Sequence, residues 1–227
     1  MFVIITLTFI DRFNMNVAAH YIQREFAFTD IQVGAMLTAF VLGYALFQIP
    51  GGMLGDRFGP RRVLIAAILW WSAFTALTAW APSLFLVKWF GVLGSICIVR
   101  FLIGLGEAPA FPNANKAIGM WMAPEERARG NSLFMLGIGV GGAFTPPLIT
   151  RMMIAWGWRA TFLIFGAVGP LIALVWRVLS TETPGERPAV NQAERSLIGP
   201  AERSTHKLSE IPWRHLFFER DDVGLSR

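Results

Sequence analysis

The stretch RFLIGLGEAP, Arg100 to Pro109, puts a full positive and a full negative charge seven residues apart among neighbours that are almost all apolar. In a soluble helix such charges sit on the wet face. Here there is no wet face, so the reading of this stretch decides between a greasy soluble core and a membrane span. Each charge at the centre of a span costs about 2.5–3.5 kcal/mol on insertion scales. A chain that keeps them there uses them to pair helices or to act on something in a cavity.

The rest of the sequence favours the membrane. Hydrophobic residues make up 54% of the 227 and charged residues 15%, against about 45–50% and about 25% in ordinary globular chains. The mean hydropathy is +0.50. The apolar residues gather in six blocks of near-bilayer length: Phe2–Ala19, Ile31–Leu54, Val63–Trp80, one within Leu84–Phe111, Ser132–Met153 and Thr161–Leu179. This predicts an all-α membrane protein with six transmembrane helices in a bundle over residues 1–179. The fourth block is longer than one span needs. Its excess, near Phe85–Ser95, forms either an outer loop or an extension of helix 4. Pro109 and Pro112 should break that helix just after Glu107 and free backbone groups beside a cavity. From Ser180 the chain turns polar, with Pro184, Pro188, Pro200 and Pro212. Residues 180–227 are read as a linker with short helical pieces, such as Ala189–Ile198.

Several function classes drop out. The first block lacks a basic leader and carries Asp11-Arg12 in its middle, so it is not a signal peptide. An apolar run that starts directly after Met1 is compatible with a start further upstream. One cysteine, Cys97, allows no internal disulfide, and the three histidines are scattered without metal-ligand spacing. No nucleophile or zinc motif supports an enzyme, and no cofactor or metal is expected. The glycines of GIGVGGAF, Gly137–Phe144, lack the lysine of a nucleotide loop and read as tight helix packing. The pI near 10.1 reflects basic loops on one side of a membrane rather than nucleic-acid binding. Arg57, Arg61 and Arg62 follow the second span. Lys116, Arg127 and Arg129 follow the fourth. Arg187, Arg195, Arg203, Lys207, Arg214 and Arg220 lie in the tail. The positive-inside rule puts these segments and both termini in the cytoplasm. Trp80, Trp89, Trp156 and Trp158 fit an aromatic belt at the outer face.

DRFGPRRVLI, Asp56–Ile65, and AWGWRATFLI, Ala155–Ile164, both read aromatic, glycine, any residue, arginine and then an apolar span. They follow the second and fifth spans, on opposite faces. Two three-helix units of inverted topology would produce this echo. It pairs span 1 with span 4, the two spans that carry Asp11, Arg12, Arg100 and Glu107. These four charges sum to zero. An anion arriving alone would leave the site negative, so a proton is expected to accompany it.

GMLGDRFGPRR, Gly52–Arg62, resembles the loop between helices 2 and 3 of the major facilitator superfamily, and RFLIGLG, Arg100–Gly106, resembles its helix 4 motif. IDRFNMNVAA, GYALFQIPGG, GLGEAPAFPNANKAIGMW and GWRATFLIFG together resemble the anion:cation symporter branch. That resemblance covers the whole chain. It implies the N-terminal half of a major facilitator fold, a proton- or ion-coupled carrier of an organic anion such as a sugar acid, in the cytoplasmic (inner) membrane. A second six-helix half would lie beyond Arg227. Phe9 stands where many relatives have tyrosine, and Ile138 where sugar-acid carriers often have a polar residue.

Within this reading Arg12, always charged and planar, suits a substrate carboxylate. Tyr44 and Gln48 line the same cavity by resemblance, or simply bond helix to helix. Arg100 and Glu107 lie two turns apart on one face, roughly 10 Å along the axis, too far to pair readily, so each needs a partner on helix 1. Glu107 is the first candidate to carry the proton, because burial favours the neutral acid, and Asp11 is the second. Arg100 tunes one of them. Asn14, Asn16, Asn113 and Asn115 are weaker candidates for the cavity. Gly52, Asp56, Arg57, Gly59, Arg61 and Arg62 form a gating loop in which Asp56 sits beside Arg61 and Arg62; the same loop also serves as a topology signal. The alternatives are an organophosphate/phosphate antiporter, which would favour arginine over carboxylate, and a six-helix membrane sensor or scaffold.

Overall fold

The computed structural model of the protein describes residues 2–187 and 190–198, with the side chains of 193–195 left aside. The described residues form α1 (Phe2–Phe26), α2 (Asp30–Phe58), α3 (Pro60–Thr78), α4 (Val87–Glu107), α5 (Ala110–Trp121), α6 (Arg127–Leu179) and the short α7 (Gln192–Ile198). The remainder of the predicted linker, with Pro200, Pro212 and the basic residues Arg203 to Arg220, lies outside the described residues.

Five stretches are long and apolar enough to cross a membrane: α1, α2, α3, α4 with α5, and α6. The expected fifth and sixth spans are fused into α6, because no polar loop separates them. One residue divides its two limbs, Gly157 at φ 78°, ψ 164°. A side chain is disfavoured there and glycine is not. The fifth and sixth crossings are thus the limbs before and after Gly157, and six crossings stand.

The inverted repeat is visible in the packing. α1 lies on the first limb of α6, α4 lies on α2, and α3 lies on the second limb. Exchanging spans 1, 2, 3 with 4, 5, 6 turns the first contact into the second and the third into itself. Gly59, which ends α2, has φ 87°, ψ 146°, close to its counterpart Gly157. Lipid offers no hydrophobic drive between helices, so close backbone approach has to. A Cβ on Gly43 would stand 2.2 Å from the carbonyl oxygen of Phe101, and one on Gly104 would stand 2.1 Å from that of Phe40. Gly137 and Gly141 meet Phe2 and Phe9 of α1, while Gly166 and Gly169 meet Ala76 and Ser72 of α3. Of the GIGVGGAF glycines, Gly137, Gly141 and Gly142 therefore pack against α1, while Gly139 has nothing within 4 Å.

Where α4 was expected to gain a loop or length, a 3₁₀ turn at Ala81–Ser83 leads into the helix, which bends at Gly91 (φ 68°). The expected break after Glu107 falls at Ala108–Pro109. Pro112 continues within α5. Thr29 starts α2 with a reciprocal capping box to Gln32.

Candidate functional site

Arg12, on the middle turn of α1, reaches across to the end of α4. Its Nε donates to Glu107 Oε2 at 3.2 Å. Glu107 is fully buried, and the Arg12 side chain keeps 26% of its surface exposed. The guanidinium is caged by four rings, those of Tyr44 (4.6 Å), Phe9 (5.3 Å), Phe40 (5.4 Å) and Phe111 (5.7 Å). Such rings hold a cation by their negative faces without consuming its N–H donors. Among the described residues Arg12 Nη2 and Glu107 Oε1 have no hydrogen-bond partner. The pair is therefore joined by one bond and carries spare capacity on both sides.

Behind it lie the other two charges. Asp11 and Arg100 are 4% and 3% exposed. Each feels the other and Glu107 electrostatically. The Arg100 guanidinium lies 4.8 Å from the Phe40 ring, so one ring faces both arginines. Arg100 Nε and Asp11 Oδ1 have no hydrogen-bond partner among the described residues. Of the four charges, three are buried inside the bundle, and only Arg12 is part-exposed. Glycine allows this: Gly104, between Arg100 and Glu107, lets α4 sit against the α2 backbone, close enough for a side chain on α1 to reach it.

Of the residues expected beside Arg12, Tyr44 is there. Gln48 is one helical turn further along α2, on the same side, and exposed. Asn14 is buried, and among the described residues neither of its amide atoms has a hydrogen-bond partner. Asn113 is a packing residue: its amide nitrogen donates to the carbonyls of Gly51 (3.0 Å) and Pro109 (2.8 Å). It fastens α5 to α2, where Gly52 faces Pro112 and Gly55 faces Asn113 itself.

The Gly52–Arg62 segment forms a second polar cluster at the end of the bundle where α1 begins and α6 ends. Asp56 accepts a hydrogen bond from Lys116 of α5, a partner from a different helix. The helical reach of α5 after the Pro109 break carries Lys116 back to it, and that is what sequence spacing could not show. Arg61 donates to the carbonyl of Arg177 (2.6 Å) and to Ser180 Oγ (3.1 Å), closing the end of α6. Arg57 lies over Phe58, and Arg62 is exposed. Sequence reasoning missed Glu182. It is 6% exposed and accepts from the Arg61 backbone N–H at 3.3 Å. Its signal was an acid two residues after Ser180, where the last apolar limb ends.

At the other end of the bundle Arg159 grips Glu25 with two bonds, 2.6 and 3.0 Å, and Trp158 Nε1 donates to the same carboxylate at 2.8 Å. Trp80, Trp89 and Trp156 are exposed there as a belt requires, but Trp158 is 5% exposed and belongs to the core.

A profile of the Major Facilitator Superfamily matches residues 1–220. Among curated relatives, a "Probable sulfoacetate transporter SauU" from Cupriavidus necator is 34% identical, over 93% of this chain and 47% of its own length. A "Probable L-galactonate transporter" from Escherichia coli is 31% identical over 99% of this chain and 48% of its own. In a crystal structure, a bacterial homologue of the human lysosomal transporter Spinster, inward-facing and occupied, superposes with TM-score 0.67 at 28% identity. That match covers 81% of this chain and 43% of the other. The chain spans about half the length of these relatives.

Proposed function

The chain belongs to the major facilitator superfamily, and we propose that it forms the six-helix half of a symporter that moves an organic anion with a proton. That it is a multi-pass membrane protein with relatives named as organic-anion transporters is plain. The observation that carries the finer reading is the single-bonded, ring-caged Arg12–Glu107 pair. In this reading a substrate carboxylate takes the free N–H groups of Arg12, with Tyr44 and Gln48 beside it. Glu107, losing its cation to the substrate, takes a proton, and the site stays neutral. Asp11 and Arg100 behind the pair set how readily that exchange occurs. Residues 180–227 lead towards a second half that supplies the opposite wall, and two halves rocking about the site give alternating access. The Gly52–Arg62 cluster, held by Lys116, Arg61 and Glu182, is the latch at the cytoplasmic gate.

The test is uptake of radiolabelled sugar acids, sulfoacetate, tartrate, phthalate and inorganic phosphate into proteoliposomes. The chain is assayed alone and co-expressed with a second six-helix half, under an inward proton or sodium gradient. Proton-driven carboxylate uptake by the paired halves, and none by the chain alone, is expected. Phosphate exchange without proton dependence would replace the proposal with the antiporter. Saturable, uncoupler-sensitive uptake by this chain alone would replace the half-carrier with a self-paired transporter. For orientation, single cysteines at Ser83 and Arg127 in a Cys97→Ser background are expected to react with an impermeant maleimide in intact cells at 83 and not at 127. The reverse pattern inverts the proposed topology.

A further inference from the structure

Arg12 does not stand alone on its side of α1. Asn16 and His20 follow it at four-residue intervals, so the three lie along one side of the helix. Apart from Val3 near its start, Asn16 and His20 are the only exposed residues of α1 between Phe2 and Gln23. Along the axis Asn16 lies about 6 Å beyond Arg12 and His20 about 12 Å. An exposed amide and an exposed imidazole in the body of a span are costly against hydrocarbon, and such groups face a water-filled space. The side of α1 onto which Arg12 opens is therefore a wetted wall, and it continues for two turns beyond the pair.

The neighbouring wall differs. On α2 the face that brings Tyr44 to 4.6 Å from the Arg12 guanidinium and also carries Gln48 runs the other way as Val41 and Leu37, at three- and four-residue spacing. Both are apolar, and Val41 is 58% exposed. One turn beyond Arg12, Asn16 is thus the polar group that these two faces offer. Its neighbour Asn14 is sealed in the core, whereas the Asn16 side chain is open.

We propose that Asn16 is the specificity residue for the far end of the anion. With its carboxylate on Arg12, the anion extends along α1, and its far end exchanges hydrogen bonds with the Asn16 amide. An amide both donates and accepts, so it satisfies a hydroxyl or a second carboxylate and leaves a methyl end unrewarded. Val41 and Leu37 cover the carbon chain on the α2 side. His20, one turn further on, lies beyond the reach of a six-carbon anion held by Arg12 and keeps the approach wet. The assignment rests on Arg12 as the carboxylate site and concerns the end of the anion that Arg12 does not touch.

The experiment is equilibrium dialysis of radiolabelled hexanoate, 6-hydroxyhexanoate and adipate against the paired halves of the transport test. The three share one carboxylate and one chain length and differ only at the far end. The hydroxy acid and adipate should bind about threefold to tenfold more tightly than hexanoate, the scale of one hydrogen bond. Asn16→Leu should level the three while leaving hexanoate binding intact. Asn16→Asp sets a carboxylate against the far end, so adipate should fall below the hydroxy acid, because like charges repel. A merely structural asparagine would not split the two in that way. Equal binding of the three by the parent overturns the proposal, and so does an unchanged order in Asn16→Leu. Loss of all three anions in Asn16→Leu would make Asn16 a structural residue and also overturn it. If Asn16→Leu does not fold, Asn16→Asp decides, and an unchanged ratio of adipate to hydroxy acid overturns the assignment. Arg12→Lys separates the two readings, since it should weaken all three anions alike. No carboxylate binding by the paired parent would remove the Arg12 site and this one with it.

Discussion

Halfway along α1, Arg12 meets Glu107 through one hydrogen bond of 3.2 Å, inside a cage of rings and with free N–H and oxygen atoms on both sides. At the end of the same helix, Glu25 meets Arg159 through two bonds and Trp158 through a third, and the pair is 38% and 46% exposed. Both are arginine–glutamate pairs, and both tie α1 to another helix. The outer pair is joined by a two-bond fork, both carboxylate oxygens accept, and the remaining Arg159 donors face water, so it reads as a fastener. The inner pair sits where desolvation makes every unsatisfied atom expensive, and yet it is left incomplete. A site that must let go of one partner and accept another has to be built that way. Saturation, more than burial or charge, separates the fastener from the proposed site.

That contrast is broken most severely by removing one inner partner. Arg12→Leu leaves Glu107 buried without its cation, which costs about 3–5 kcal/mol for a pair of this kind. Cys97, the chain's single cysteine and half-buried, allows a thiol-reactive dye to report unfolding. A large drop in midpoint temperature is expected, reduced in the double variant Arg12→Leu/Glu107→Leu. A single variant as stable as the parent would show that the inner pair is not the compensated unit described here. Arg12→Lys keeps the charge and loses the planar fork. It should weaken carboxylate binding by about tenfold or more, measured by equilibrium dialysis on the paired halves. Unchanged affinity removes Arg12 from the substrate site.

Gly104 offers a cut that touches no charge. A Cβ there meets the Phe40 carbonyl oxygen at 2.1 Å, a backbone atom that cannot rotate away. Gly104→Ala should push α4 from α2 and cost about 1–3 kcal/mol, the range for overpacked interiors. The same dye assay reads it. Gly119→Ala, with nothing within 4 Å, is the control on the same stretch of the chain. Equal midpoints for the two variants would mean that close backbone approach does not hold the inner pair together.

Much of this was legible beforehand, for physical reasons that differ by residue. The spans were legible because hydrocarbon tolerates few charges, so Asp11, Arg12, Arg100 and Glu107 stood out against their blocks. The inverted repeat was legible from Gly59 and Gly157, because a positive φ forces the same residue at equivalent turns. Three-dimensional partnerships were not. Arg12 could be matched with Glu107 only as one of several crossings. Asp56 was placed with the arginines beside it in sequence, although Lys116 returns to it over the α5 turns. Trp158 looked like its exposed neighbours because composition says nothing about which side of a helix end meets the core. Glu182 was invisible as a cap because its partner, a backbone N–H at Arg61, carries no sequence signal.

The smallest expected effect is at the outer pair, where it sharpens the comparison most. Both side chains are over a third exposed, so water screens them and the pair is worth about 0.2–1 kcal/mol. A double-mutant cycle of Glu25→Gln and Arg159→Gln, followed by thermal unfolding in low and high salt, should return a coupling in that range that shrinks as salt rises. The same variants should leave anion binding by the paired halves unchanged, since nothing at the outer end touches Arg12 or Glu107. A coupling of several kcal/mol would mean that the outer pair is shielded from water by something beyond this bundle, such as a second half. Loss of anion binding would mean that the end of α1 and its middle act together, and the division between fastener and site would have to be given up.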